Sequence, residues 1–414
     1  MGISSVEKFK RTMKLIVGEA TYDRAKSAYR SSMAIKRDRR VDLSIPPGVN
    51  LIGYLRAGMG LGEGCRLLAW AIDEARIPYC AINFSKNNIS RELRGEWPGK
   101  IARRPLYRAD IVHVNPDQYR LFETELPRSL WKGRYVIGFL LWELPRLPGS
   151  WREGLKLLDE VWVPSNFIAG NIRSQLDLPV RVIPYGIPPR TATSAGRSEL
   201  GLPEGRFLFL VLYDVASIME RKNPKGAVEA FKRAFSPGDE RVGIVIKVNN
   251  SRHSPGEIAE LRASLKGYEG VRFLERTLSR DEVDALIKAC DALVSLHRSE
   301  GFGLTLAEAM SFGKPVVATN WSANTEFMDE GNSCPVNYRL ANLNIDHGHY
   351  EAAGQRWADP DLDHAASLMR RLVEDREYRE SISRRAHESI FGGFSLEASG
   401  SRIRARLGEL GLLK

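Results

Sequence analysis

The sequence predicts an α/β protein built on two doubly wound parallel sheets. Three observations carry this. Strand-like and helix-like segments alternate almost without exception after Val49. The alternation stops once, at a stretch with no apolar period, and then restarts. The chain has 414 residues, too many for one ordinary core but suited to two domains of roughly 150–200 residues each.

In the first half the apolar, partly β-branched runs "VNLIGYL", "IPYCAINF", "DIVHVNP", "YVIGFLLWE", "EVWVPS" and "VRVIPYG" read as strands. Between them, "GEGCRLLAWAIDEA" and "NFIAGNIRSQL" carry helical spacing. The interruption is "IPPRTATSAGR", whose Pro, Thr, Ser and Gly break any period, and it reads as a linker. The second half restarts with "FLFLVLYD", the helix "NPKGAVEAFKRAF", then "VGIVIKVNN", "VRFLER", "ALVSLHR" and "PVVAT" with helices between, and "SLEASGSRIRARLGELGLL" closes it as a terminal helix. The expected division is a basic helical segment over 1–45, a Rossmann-like domain over 46–188, a linker over 189–198, a second Rossmann-like domain over 199–392 and a terminal helix over 393–414. No short repeat is present, which excludes a solenoid.

The composition is that of a globular chain. Cys65, Cys80, Cys290 and Cys334 are scattered without a Cys-x-x-Cys pair, so neither a zinc site nor a disulfide framework is expected, as suits a reducing cytosol. The apolar run "YVIGFLLW" is far short of the roughly 20 residues of a membrane span, and no signal-peptide core is visible at the start. The net charge of +10 favours an acidic partner, but no nucleic-acid motif accompanies it. Residues 1–45 hold 11 Lys and Arg against 5 Asp and Glu. There Val6, Phe9, Met13, Ile16 and Val17 share one helical face among Lys8, Lys10, Arg11 and Lys14. Two readings stay open: a helix lying on an anionic membrane surface, or one packed on the first domain with its basic face in water.

Chemistry concentrates at "HRSEGFGLTLAEAMSFGKPVVATN", His297 to Asn320. A strand ends at Glu300, Gly301 and Gly303 follow, and a helix carries Glu308. In such a βαβ unit a ligand sits at the carboxyl end of the strand. The glycines let backbone N–H groups approach an anion, and Glu308 leans back toward the same mouth. A ligand with both phosphate and hydroxyls, a nucleotide sugar, reconciles two carboxylates with an anion site. Arg221 and Lys222 in "SIMERKNPKGAVEAF" lie at another strand end of the same sheet, where cations suit a diphosphate. In the first half, "YLRAGMGLGEGCRLL" lacks the dinucleotide spacing, because Glu63 or Cys65 stands where the third glycine belongs. That disfavours a nicotinamide cofactor. Gly60 and Gly62 could still cradle a phosphate, with a plain tight turn as the competing reading. "DPDLD" (Asp359, Asp361, Asp363) follows no apolar strand and precedes a helix, so it reads as a helix cap and no metal is expected.

The order of "GMGLGEG", "ERKNPKG" and "SEGFGLTLAEAMSFGKPVVAT" resembles the family-4 retaining glycosyltransferases of GT-B fold, over nearly the whole chain after about Val49. "IGFLLWELPRLPGSW", "DEVWVPSNFIAGNI" and "WADPDLDHAASLMRRL" are similar to the bacterial branch that builds lipopolysaccharide, capsule and exopolysaccharide, often with mannose. The resemblance implies two Rossmann-like domains facing across a cleft. It makes Glu300 a contact to the donor sugar near the reacting carbon and Glu308 the ribose ligand. Phe302, Gly303 and Leu304 would offer backbone groups, Arg221 and Lys222 would hold the diphosphate, and Gly60 and Gly62 would close on it. The implied activity is metal-independent transfer of a hexose, mannose from GDP-mannose being the leading choice, to a glycan or lipid-linked glycan at the inner face of the cytoplasmic membrane. No cofactor beyond the donor is implied. Two departures stand out. No arginine precedes Arg221 in "YDVAS", and Asn115 occupies a position where many relatives have histidine, with His113 two residues earlier and either able to reach the sugar. A nucleotide-sugar epimerase, a phosphorylase of the same architecture and a non-catalytic binding subunit are the rival readings. If the basic segment is an interfacial helix, deleting residues 1–20 reduces co-sedimentation with anionic liposomes while activity on a soluble acceptor analogue persists. Equal sedimentation of both forms favours packing on the first domain.

Overall fold

The structure, a computed structural model, describes residues 39–88, 90, 92, 101–122, 131–190, 195–345, 350 and 353–414. The basic helix expected within residues 1–45 lies almost wholly outside the described residues, as does part of the linker. Among the described residues no helix is long and apolar enough to cross a membrane.

Two six-stranded, all-parallel sheets form the two halves. The first comprises β1 (Val49–Gly53), β2 (Tyr79–Asn83), β3 (Ala109–His113), β4 (Tyr135–Phe139), β5 (Glu160–Val163) and β6 (Val180–Val182), in the order β2-β1-β3-β4-β5-β6. Its strands are almost entirely buried, as expected of parallel strands covered on both faces. Helix α1 (Gly60–Glu74) follows β1, and α2 (Asn166–Ile172), capped by Ser165, follows β5.

The second sheet comprises β7 (Phe207–Asp214), β8 (Val242–Asn249), β9 (Val271–Leu274), β10 (Ala292–Ser295), β11 (Val316–Thr319) and β12 (Cys334–Val336), in the order β12-β11-β10-β7-β8-β9. The strand order therefore reverses between β7 and β10. A crevice opens at such a reversal because successive crossovers leave on opposite faces. Around this sheet lie α3 (Met219–Lys222), α4 (Pro224–Ala234), α5 (Pro255–Ser264), α6 (Arg280–Ala289) and α7 (Leu304–Ser311).

An element the sequence did not suggest follows β12. Strands β13 (Tyr338–Asn342) and β14 (Arg356–Pro360) pair antiparallel. The "DPDLD" run thus does follow a strand, contrary to expectation. Asp359 lies on it and pairs with Arg298 and Arg339. Asp361 is the expected cap, accepting from the Asp363 and His364 N–H groups at the start of α8 (Leu362–Glu374). The hairpin reaches the first half: Arg146 N donates to Gln355 Oε1, and Gln355 Nε2 donates to Arg146 O.

After α9 (Arg376–Gly393) the chain returns to the first half as α10 (Leu396–Glu409). Ile187 N donates to Phe394 O at 2.7 Å, and Ile187 bridges Ser395, so the outgoing and returning crossings lie side by side. Helix α10 packs on α1. Ser399 Oγ donates to Pro184 O, and Arg406 grips the fully buried Glu160 carboxylate at 2.7 and 2.9 Å. At Gly400 a Cβ would stand 2.4 Å from Ala71 O and 3.0 Å from Ala75 Cβ, so the two helices touch only because that side chain is missing. Gly400→Val therefore lifts α10 off the first sheet. The expected loss is about 1–3 kcal/mol, read as a lowered midpoint in thermal or urea unfolding; an unchanged midpoint means the helix packing contributes little.

Candidate functional site at the strand-order reversal

Glu300 ends the loop that leaves β10, and Arg221 and Lys222 close the single turn of α3 that leaves β7. The reversal places these two strands side by side, so residues 78 positions apart meet: Lys222 Nζ donates to Glu300 Oε1 at 2.5 Å, and Arg221 Nη1 lies 3.3 Å from the same oxygen. Glu300 Oε2 takes no bond from the described residues. The turn itself is bracketed by Ile218 (φ 59°) and Asn223 (φ 50°). For β-branched Ile218 that conformation is a genuine outlier, of a kind that costs on the order of 1–3 kcal/mol. It is held by Arg298 N donating to Arg221 O and by Asn223, whose side chain caps α4 and bonds Leu296 O.

Burial alone would raise the Glu300 carboxyl. Lys222, then Arg221 and His297, outweigh burial and hold it at about 2. Glu300 N donates to Ser322 Oγ, fixing the backbone as well. Arg221 is buried: it donates to Ser299 O and lies 3.6 Å from Glu143, a carboxylate in the loop after β4 of the first half, while its Nε has no partner among the described residues. Glu143 Oε2 in turn accepts from Tyr350 Oη at 3.0 Å. A chain of ion pairs, ended by a phenol hydrogen bond, thus runs Lys222, Glu300, Arg221, Glu143, Tyr350 across both halves.

Gly303 (φ 92°) opens α7 without a side-chain cap. A side chain there would be strained, and the orphan N–H groups of the first turn are left at the cavity that Leu304 and Thr305 line. This cavity, about 560 Å³, is walled by both halves: Gly60, Asn115, Trp142 and Glu143 on one side, Lys222, Glu300, Gly301, Phe302 and Gly303 on the other. A second cavity of about 200 Å³ shares Met59, Gly60, Lys222, Leu304 and Thr305 with it and extends past Glu308 and Arg280 to Lys247, Thr277 and Leu278.

Glu308 is the centre of a second buried network. Arg280 Nη1 donates to it at 2.7 Å, and Arg190 Nη2 lies 3.8 Å away. Arg190 also bonds Glu63 Oε1 of α1 at 2.5 Å and Asp284 of α6 at 3.3 Å, and Arg280 pairs with Asp284. Burial raises the Glu308 carboxyl despite Arg280 and Arg190. Glu63, for which burial is outweighed by Arg280, Arg66 and Arg190, sits at about 2.

The expected residues thus fall into groups. Glu300, Lys222, Gly301, Gly303, Leu304, Gly60 and Asn115 line the larger cavity together; Glu308 lines the smaller one. Phe302 contributes there too, but its ring is buried against Tyr185, Phe327 and Phe394. Arg221 reaches the cavity as the brace of two carboxylates, where a diphosphate clamp was expected. Gly62 is a correction: it is buried, absent from both cavity walls, and a Cβ on it would meet Ala57 O at 2.2 Å, so the close approach it permits is to its own loop. His113 is fully buried, within 2.6 Å of Tyr185 Oη, and burial lowers it to about 4; Asn115 is the one of the pair at the cavity. Among the described residues no group of His, Cys, Asp and Glu has the arrangement of a metal site. Sequence reasoning missed Glu143, Tyr350, Glu63, Arg190, Arg280 and Lys247. Glu143 could have been found, because it ends an apolar strand-like run as Glu300 does.

Residues 196–389 match the family model Glycosyl transferases group 1. The chain is 30% identical over 164 residues to D-inositol 3-phosphate glycosyltransferase of Stackebrandtia nassauensis, covering 37% of this chain and 36% of that protein. It is 23% identical over 204 residues to N-acetyl-alpha-D-glucosaminyl L-malate synthase of Bacillus anthracis, covering 49% and 45%. It therefore spans less than half the length of either curated relative. Among solved structures, Anabaena HepE in complex with UDP and glucose superposes with a TM-score of 0.62 at 16% identity, over 87% of this chain and 100% of that one. That likeness establishes the GT-B arrangement of two Rossmann-like domains.

Glu300→Gln leaves the buried Arg221 and the half-buried Lys222 with one carboxylate fewer, and the expected cost at pH 7 is about 3 kcal/mol. The Glu300 carboxyl is held at about 2 against an ordinary 4.5. Its contribution is therefore complete above pH 4.5 and fades as pH falls toward 2. Wild type and variant, compared by denaturant unfolding, should converge as pH drops from about 4.5 to 3; a constant gap would mean the charge itself contributes nothing.

Proposed function

We propose that the protein is a retaining glycosyltransferase that moves a hexose from a nucleoside diphosphate sugar to a glycan acceptor. The observation that carries this is the meeting of Glu300 and Lys222 beside the uncapped start of α7, at a cavity walled by both halves. The nucleoside occupies the smaller cavity, with the ribose hydroxyls at Glu308. The diphosphate lies where the two cavities meet, at Lys222 and the first turn of α7. The sugar extends into the larger cavity, where Glu300 Oε2 accepts from a hydroxyl.

As the glycosidic C–O bond breaks, its electron pair passes to the leaving phosphate and positive charge spreads over the sugar ring. Lys222 and the α7 N–H groups meet the charge on phosphate. The acceptor hydroxyl attacks the face the phosphate is leaving, and its proton passes to a phosphate oxygen. Arg221 is a positioning residue in this scheme: by bonding Glu300 and Glu143 together it holds the donor-side carboxylate against the first half. Because Lys222 and the α7 N–H groups meet the phosphate charge, the reaction is metal-independent.

At a finer level, mannose from GDP-mannose and a bacterial surface glycan follow from the sequence resemblance. HepE holds UDP and glucose, so uridine donors belong in the same test. A thermal-shift screen of GDP, UDP, ADP and dTDP with their sugars identifies the donor, because a ligand that binds only the folded state raises the melting temperature. If no nucleotide shifts it, the proposal fails.

Lys222→Ala should lower turnover by on the order of 10²–10³ with a much smaller change in donor affinity, because charge on the diphosphate grows only as the bond breaks. Lys222→Arg should recover part of the loss. A raised Michaelis constant with unchanged turnover would make Lys222 a uniform binding contact. Activity should also persist in excess EDTA; loss on chelation with recovery on adding magnesium or manganese would overturn metal independence.

A further inference from the structure

Every deeply buried arginine in the cleft is matched by carboxylates: Arg221 by Glu300 and Glu143, Arg190 by Glu63 and Asp284, Arg66 by Glu63. Lys247 is not. It is 1% exposed at the carboxyl end of β8, and no carboxylate among the described residues lies within ion-pair distance of it. Its ammonium donates to Val248 O at 3.0 Å and to Asn249 Oδ1 at 2.5 Å, both on its own strand. An ammonium has three protons to donate and no acceptor, so one donor remains. Buried charges are ordinarily paired because leaving them unpaired is costly. Burial lowers the Lys247 ammonium to about 8.

Lys247 stands in the wall of the smaller cavity, with Asn249 two residues on and on the same side of the strand. The register sets Leu212 of β7 directly beside it. Leu212, Leu278 and Val283 give that end of the cavity apolar walls, and Glu308 stands in the same cavity's wall. The cavity also holds Arg66, Lys222, Arg280, Glu63 and Asp214, but at this end a cation with a spare donor stands among apolar side chains, in the same cavity as a carboxylate suited to ribose hydroxyls, which is the chemistry of a nucleobase seat.

We propose that Lys247 is the specificity residue for the base, selecting one with a carbonyl oxygen at purine C6 or pyrimidine C4, guanine or uracil, over adenine and cytosine, which carry an amino group there. This rests on the donor reading given above. A carbonyl oxygen accepts the spare proton of the ammonium. An exocyclic amino group at the same ring position directs donors at a donor and leaves the cation buried without a partner. Guanine and uracil share the recognised chemistry, and their relative affinities tell which fits the slot.

The test uses calorimetry on the full chain with two pairs of ligands that differ at the recognised group and in the proton on the adjacent ring nitrogen: inosine against adenosine diphosphate, and uridine against cytidine diphosphate. In at least one pair the carbonyl form should bind about tenfold or more tighter. Lys247→Met, which keeps the stem without the charge, should abolish that preference by weakening the carbonyl ligand and should not weaken adenosine diphosphate; Lys247→Arg should retain part of the preference. Equal affinities within both pairs for the wild type overturn the proposal without any variant. So does a Lys247→Met protein that keeps the preference, or one that loses all four ligands alike, which would make Lys247 a general anchor. If the wild type binds no nucleoside diphosphate, the donor reading itself falls, and this proposal with it.

Discussion

Glu300 is a carboxylate taken out of water at the end of a strand, and such a charge persists only where cations come to it. Two come, both from one turn after the neighbouring strand. To deliver them the backbone accepts left-handed conformations at Ile218 and Asn223 on either side of that turn. The dependence runs outward from there. Arg221 cannot serve Glu300 without also meeting Glu143, which belongs to the other half, and Glu143 is in turn seated against Tyr350 from the hairpin insertion. The position of one carboxylate therefore constrains two domains and an insertion.

The network around Glu308 works differently. It gathers α1, the segment between the sheets, α6 and α7 through Arg190 and Arg280. Burial raises Glu308 despite Arg280 and Arg190, whereas at Glu63 burial is outweighed by Arg280, Arg66 and Arg190, which hold it down. A ligand whose hydroxyls bonded Glu308 would enter a site already crowded with charge, so its binding and the seating of α1 on the second half are coupled through the same arginine.

Much of this architecture was legible in the chain. Parallel strands covered on both faces are largely apolar, which is why eleven of the twelve stood out and only the three-residue β12 did not, and the glycines around Glu300 announced a backbone that needs space. What could not be read was any pairing set by distance in three dimensions rather than along the chain. Glu63, Arg190, Arg280 and Glu308 meet from four separate elements, and no spacing links them. The hairpin of β13 and β14 is short and half exposed, so its residues lack the apolar run that marks a strand. Gly62 misled for a physical reason: a glycine required for close approach does not say what approaches. Asn115 and His113 alternate as residues of one strand should, yet the strand ends between them, and only the residue beyond the end opens to the cavity.

The return of α10 to the first half changes how the two halves can move. Bodies joined by a single tether can swivel about any axis. Here the polypeptide crosses twice, and Ile187 and Ser395 are bridged where it does so. With both crossings fastened at one place, any relative motion that keeps this bridge intact pivots about it, as covers move about a spine. The displacement is then smallest beside the pivot and grows with distance from it, so the reach of the cleft mouth is set by the stiffness of a few residues that touch no ligand.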